Sequence, residues 1–262
     1  MNWSNQTVVI TGAYGGLGQE LVLAISKLGA RLVITGRNLE KLNNLKQSLP
    51  SNTLVLAGNV NSKEFRAELI ALLNSIQTDG HILINNAAVS DVKFLHNQDE
   101  ESIEQMIDVN LLAPILLSKS LLSWLKKSST AKIINIGSTF GAIGYPGFSG
   151  YCASKSGLRG FSQALSRELS DTNISVKYLA PRAIATKIND SNVNQLNKDL
   201  KNNVDTTKRL VPQIIKAINQ NKAEIFFGWP EKLFAKLNGI LPSMVSASIK
   251  KDHKTIKQYF NK

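Results

Sequence analysis

Tyr151 and Lys155 lie four positions apart in a segment with helical patterning. At that spacing two side chains leave the same face of a helix. An ammonium beside a phenol favours the phenolate and lowers the phenol below its ordinary value of about 10. A phenol tuned this way can give a proton to a carbonyl oxygen or take one back from an alcohol. Ser138 follows an apolar run that reads as a strand, and its hydroxyl can hold a substrate oxygen beside the phenol. A second group of residues points to a nucleotide. Thr11-Gly12-Ala13-Tyr14-Gly15-Gly16-Leu17-Gly18 separates a strand-like run from a helix-like one. Glycines there permit a tight turn and close approach of the backbone to a pyrophosphate, and the helix N-terminus behind them favours negative charge.

Positioning these groups requires a particular alternation of elements. Short apolar, β-branched runs recur at 7–11, 31–35, 53–57, 81–85, 131–136, 175–179 and 224–227. Helical patterns fill the intervals at 17–28, 39–49, 62–77, 99–127, 152–170 and 207–220, with Asn38 placed to cap the second. Buried strands separated by helices predict βαβ units with right-handed crossovers. The expected fold is therefore α/β, a three-layer doubly wound Rossmann fold with an about seven-stranded parallel sheet and helices on both faces. The Asn/Lys-rich stretch 189–203 interrupts the pattern and is the segment expected to be mobile.

In order and spacing, these motifs resemble the short-chain dehydrogenase/reductase family, in its compact single-domain form. The residues that carry the resemblance are the glycine turn at 11–18, Asn85-Asn86-Ala87, Asn110, Ser138 and Tyr151-x-x-x-Lys155, spread over about residues 5–228. The resemblance implies an oxidoreductase that moves hydride between a nicotinamide and a carbonyl or alcohol carbon. It assigns Tyr151 as acid/base, Lys155 as its electrostatic partner and a ribose ligand, and Ser138 as substrate orienter. Asn110 is assigned to a water-mediated proton relay through Lys155. Cofactor contacts are implied for Gly12, Tyr14, Gly15, Gly16, Leu17, Gly18, Asn59, Val60, Asn86, Ala87, Pro181, Ile184 and Thr186. A homo-oligomer, dimer or tetramer, is implied as well.

The second strand ends Thr35-Gly36-Arg37-Asn38, with Gly36 where an NAD-binding acid usually stands. No carboxylate would repel a 2′-phosphate there, and the Arg37 guanidinium can pair with one bidentately. This favours NADP(H) over NAD(H), although Arg37 also fits as the start of a solvated helix. Three positions depart from the family pattern: Asn59 replaces Asp, Ala88 replaces Gly, and Arg182 replaces the glycine after Pro181. Ala88 could crowd the cofactor. Arg182 could meet an anionic substrate group or turn to solvent.

The loop from Thr139 to Phe148 is apolar, aromatic and glycine-rich, which favours an uncharged or lipid-like substrate. The polarity of 189–203 argues the other way, so the substrate stays unnamed. His81, His96 and His253 show no metal-ligand spacing, and no metal is expected. The lone Cys152, one residue round the helix from Tyr151, reads as packing and fits a reducing compartment.

The 262 residues carry a net charge of +12. Residues 190–262 hold 13 basic against six acidic side chains. The chain reads as a catalytic and dinucleotide-binding domain, 1–230, followed by a basic amphipathic helical extension, 231–262. Leu233, Phe234, Leu237, Ile240 and Leu241 form one apolar stripe. Val245, Ile249, Ile256 and Phe260 form a second, opposite Lys250, Lys251, Lys254 and Lys257. Such an extension either packs on the domain with its lysines in water or meets a membrane surface. No apolar run of roughly 18 residues and no signal peptide is read, so a cytoplasmic protein is expected. A sensor module with secondary or no catalysis is the alternative class, opposed by the intact Ser138, Tyr151 and Lys155. No basic motif interleaved with aromatics supports a nucleic-acid partner.

Overall fold

A computed structural model describes residues 2–186, 188 and 190–260. Seven strands form one all-parallel sheet: β1 (Gln6–Ile10), β2 (Arg31–Gly36), β3 (Leu54–Ala57), β4 (Gly80–Asn85), β5 (Thr130–Ile136), β6 (Ile174–Ala180) and β7 (Glu224–Phe226). Their spatial order is β3-β2-β1-β4-β5-β6-β7. All seven expected strands are present, each end within one residue of the reading. The helices are α1 (Gly16–Lys27), α2 (Leu39–Lys46), α3 (Lys63–Asn74), α4 (Glu100–Ile107), α5 (Ala113–Lys126), α6 (Ser149–Glu168), α7 (Ser191–Asp199), α8 (Thr207–Asn219), α9 (Glu231–Ile240), α10 (Pro242–Lys251) and α11 (His253–Phe260).

Strand side chains alternate between two cores because successive residues face opposite sides of a pleated sheet. Val8, Ile10, Leu32 and Ile34 face α1, α2 and α8, where Leu21, Ile25, Leu42 and Ile214 meet them. Val9 and Val33 face the other layer, with Leu69 and Leu73 of α3, Leu117 and Leu121 of α5 and Leu165 of α6. Each such side chain, fully buried, contributes ~1.5–3 kcal/mol. Sheet winding reverses between β1 and β4, and the crevice beyond the strand ends at such a point is where ligands bind.

Three regions differ from the sequence reading. The expected helix at 99–127 is α4 and α5 joined by a π turn, Asp108–Leu112, in which the Ala113 N–H donates to the Asp108 carbonyl. The continuous segment, Glu100–Lys126, is long and apolar enough to cross a membrane, contrary to the expectation, but Leu117, Leu121 and Leu125 are buried in the second core. The stretch 189–203, expected to be mobile, contains α7, which Asp190 caps by accepting the Val193 N–H at 2.8 Å; Asn189 lies outside the described residues. Val193 and Leu196 give that polar helix a buried edge. The second half of the extension is two helices, broken at Asp252, rather than one.

Candidate active site

A cavity of about 920 Å³ opens at the carboxyl ends of the strands. The glycine turn, Arg37, Asn59, Asn86, Ser138, Tyr151, Lys155, Pro181, Ile184 and Thr186 all line it. Of the catalytic and cofactor-contact residues expected from the sequence, Asn110 alone is not on its wall.

Ser138 leaves the end of β5 in an extended conformation, and its Oγ accepts the Phe140 N–H at 3.1 Å. Tyr151 and Lys155 project from the first turns of α6. The Lys155 ammonium lies 5.7 Å from the Tyr151 ring centroid and donates to the Ile136 carbonyl at 3.0 Å. The sequence reading expected a lowered phenol. Burial instead pushes Tyr151 up to about 12, while the Ser138 side chain draws it partly back. Burial pushes Lys155 down to about 8. Desolvation of both groups outweighs their mutual attraction here. A phenol that keeps its proton is suited to giving it up only when an oxygen able to take it arrives.

The glycine turn fits a dinucleotide on its own geometry. Gly12 has φ of 64°, and a Cβ there would stand 2.8 Å from the Ala87 backbone. A Cβ on Gly18 would stand 2.2 Å from the Gly12 carbonyl. No side chain caps the first turn of α1, so its N–H groups face the cavity end. That is the arrangement an anionic pyrophosphate requires. Thr11 and Asn86 lock the turn: Thr11 Oγ1 accepts the Asn86 and Ala87 N–H groups, both at 3.0 Å, and Asn86 Nδ2 donates to the Thr11 and Gly12 carbonyls. At the end of β2, a Cβ on Gly36 would lie 2.5 Å from the Tyr14 ring. The aromatic ring thus takes the space an acidic side chain would need. Arg37 beside it is exposed and makes no ion pair among the described residues. Asn59 Oδ1 accepts the Asn61 N–H at 3.0 Å and keeps one lone pair for an adenine amine.

Asn110 is fully buried. Its side chain exchanges two hydrogen bonds with the Val89 backbone, at 2.8 and 2.9 Å, and donates to Ser154 Oγ at 3.1 Å. These bonds clip the segment after β4 onto α6, and none joins the side chain to Lys155. Arg182 neither faces solvent nor waits for a substrate anion. It pairs bidentately with Asp205 at 2.9 Å, reaches Glu231 at 3.1 Å and donates to the Trp229 carbonyl at 2.8 Å. Its charge is spent on tying β6 to α9. Ala88 lines the cavity. Cys152 is buried beside Phe148, and burial pushes its thiol up. No three His, Cys, Asp or Glu side chains gather among the described residues.

Two groups escaped the sequence reading. Tyr178 of β6 hydrogen-bonds the Ser138 backbone. Its signal was a large aromatic in a strand whose neighbour carries Gly137 and, four residues on, Gly141. Val245 and Ile249 of α10 line the cavity, because the extension folds back onto the loop after Ser138.

The short chain dehydrogenase family pattern matches residues 6–197. The chain belongs to the short-chain dehydrogenase family. It is 34% identical over 187 residues to the 3-oxoacyl-[acyl-carrier-protein] reductase FabG of Rickettsia bellii, covering 71% of this chain and 76% of that protein. An uncharacterised oxidoreductase of Staphylococcus saprophyticus is 32% identical over 209 residues, covering 78% and 83%. Among solved structures, a short chain dehydrogenase of Burkholderia cenocepacia in complex with NADP superimposes with a TM-score of 0.80, at 20% identity, covering 93% and 96%. This short-chain dehydrogenase is thus an NAD(P)-dependent oxidoreductase acting on C=O or CH–OH groups. The family match stops at residue 197, so α8 to α11 lie beyond it.

Proposed function

We propose that this short-chain dehydrogenase interconverts an apolar carbonyl compound and its alcohol with NADP(H). The observation that carries the reading is the convergence of Ser138, Tyr151 and Lys155 on one cavity wall, beside a turn shaped for a dinucleotide. A nicotinamide bound there would supply hydride to the carbonyl carbon, or accept it from the alcohol. Ser138 Oγ holds the substrate oxygen. Tyr151 Oη gives that oxygen a proton during reduction and takes it back during oxidation. Below about pH 8 Lys155 is an ammonium that stabilises the phenolate and reaches the ribose hydroxyls. Asn110 joins the proton path at Lys155 through a water rather than by its side chain, which bonds Val89 and Ser154. Arg37 meets the 2′-phosphate. In support, a serine dehydrogenase 26% identical to this chain, with a TM-score of 0.74, was solved with NADP+.

Phe140, Ile143, Tyr145 and Phe148 on the cavity wall support an apolar substrate, and the FabG relatives make a 3-oxoacyl thioester the first to try. NADPH oxidation is to be followed with aldehydes, ketones and 3-oxoacyl thioesters. Tyr151→Phe should lower kcat by about 10²–10⁴. Turnover near wild type in that variant would remove Tyr151 from the chemistry.

A second reading, contact with an anionic membrane surface, rests on the outer side of the extension. Trp229 is 58%, Ile240 75% and Met244 62% exposed, with Lys232 and Lys236 among them. Apolar residues edged by lysines suit an interfacial helix. The Ile240→Asp/Met244→Asp variant should stop pelleting with vesicles containing anionic lipid. Wild-type protein that stays in the supernatant would end this reading.

A further inference from the structure

We propose that the C-terminal extension completes a subsite for a neutral, linear alkyl chain, and that Ile249 of α10 sets how long a chain is accepted. The inference rests on the carbonyl chemistry above and names the substrate class of that site. Starting from the reacting phenol, the wall is aromatic: the Phe148 ring stands edge-on, 6.3 Å from Tyr151, and Phe140 is 4.9 Å from Phe148. Ile143 on the same loop packs with Val245, and Ile249 packs against that pair. All of these side chains also line the cavity, so one apolar surface runs from the chemistry onto α10. Ile249 is only half-buried, which leaves apolar area to be covered by a ligand.

The chemistry of the rim narrows the class. Asn202 and Asp252 border the cavity and are exposed, so they mark its opening to water. Asp252 has no ion pair among the described residues, and its carboxylate lies close enough to disfavour ionisation of the Tyr145 phenol. A carboxylate at the far end of the chain would meet the same repulsion, whereas an uncharged end would not. Because α10 lies beyond the family match, chain length cannot be carried over from the relatives.

The test measures kcat/KM with NADPH for n-alkanals of increasing length. Calorimetric binding of the matching n-alkan-1-ols gives a reading independent of turnover. Both should improve about fourfold per methylene while apolar wall remains to be covered. In Ile249→Trp the improvement should stop at shorter chains, and in Ile249→Ala it should continue to longer ones. 10-Hydroxydecanoate, with its hydroxyl at the phenol and its carboxylate at the far end of the chain, should bind at least about tenfold more weakly than decan-1-ol, given a like charge at the rim. Flat dependence on length in both measurements, or an Ile249→Trp loss equal at every length, overturns the subsite. Length-dependent alcohol binding without turnover of any alkanal would keep the subsite and remove the carbonyl reading. Turnover without length dependence would do the reverse.

Discussion

The Tyr178 hydroxyl holds Ser138 by both backbone groups, accepting its N–H at 3.1 Å and donating to its carbonyl at 2.9 Å. The same oxygen lies 3.4 Å from the Lys155 carbonyl, so one buried phenol registers the end of β5 against α6. The ring needs the room left by two glycines: a Cβ on Gly137 or on Gly141 would come within 2.1 Å of it. Tyr178→Phe strands buried backbone groups, which costs about 1–3 kcal/mol. Urea unfolding should show that loss. The expected kinetic result is a lower kcat with little change in cofactor KM, because the variant loosens Ser138 and leaves the glycine turn alone.

Arg37→Asp should reverse the cofactor preference. Losing a charge-assisted pair to phosphate costs about 1.5–3 kcal/mol, or about 10- to 100-fold in NADPH affinity. The new carboxylate adds repulsion towards the phosphate and can bond the ribose of NADH. Fluorescence titration of both cofactors checks this, and an unchanged NADPH to NADH ratio would clear Arg37 of the role.

Stability should rise with pH between about 8 and 10. Lys155 and Lys177 are both pushed down to about 8 by burial, from an ordinary 10.5. Over that window the unfolded chain holds two protons that the folded chain has released, and proton binding by the unfolded state is lost as pH rises. Each lysine adds about 1.4 kcal/mol per pH unit. Above about pH 10.5, where the unfolded lysines have also released their protons, the sign turns, because Tyr151 keeps a proton in the fold, at about 12, that the unfolded chain loses at 10.0. Lys177 donates to the Gln220 and Lys222 carbonyls just after α8 and lies outside the cavity. Lys177→Met should therefore reduce the slope of stability against pH without altering substrate KM.

Arg182→Ala should be among the most destabilising single changes. It leaves Asp205, 6% exposed, as an unpaired buried charge, at a cost of about 3–5 kcal/mol. Adding Asp205→Asn should return part of the loss. Since Arg182 also grips Glu231 and the Trp229 carbonyl, limited proteolysis should cut the extension of Arg182→Ala well below its melting temperature.

The sheet was legible because its strands are short apolar runs buried on both faces, a pattern with little room for another reading. The glycine turn, Ser138, Tyr151 and Lys155 were legible because fixed spacing along one strand or helix brings them to one cavity. What was not legible depends on distant pairing. Arg182 could be seen to replace a glycine, but Asp205 and Glu231, 23 and 49 residues away, could not be seen to consume its charge. The direction of the Tyr151 shift was missed for a related reason. Spacing shows that a lysine is near, whereas burial, which wins, is a property of the assembled cavity.

The π turn at Asp108–Leu112 amounts to one residue more than a regular helix would use there. An extra residue advances the helical phase by about 100°, so α5 shows the sheet a different face from the one α4 would have continued. Asn110 sits inside that phase change, with its amide spent on Val89 and Ser154. Substitutions along this helix exchange side chains one at a time. A single-residue deletion between 108 and 112 would instead rotate every side chain on one side of it, setting Met106 or Leu117 out of register with the core. This stretch should therefore tolerate conservative replacement and resist any change in length.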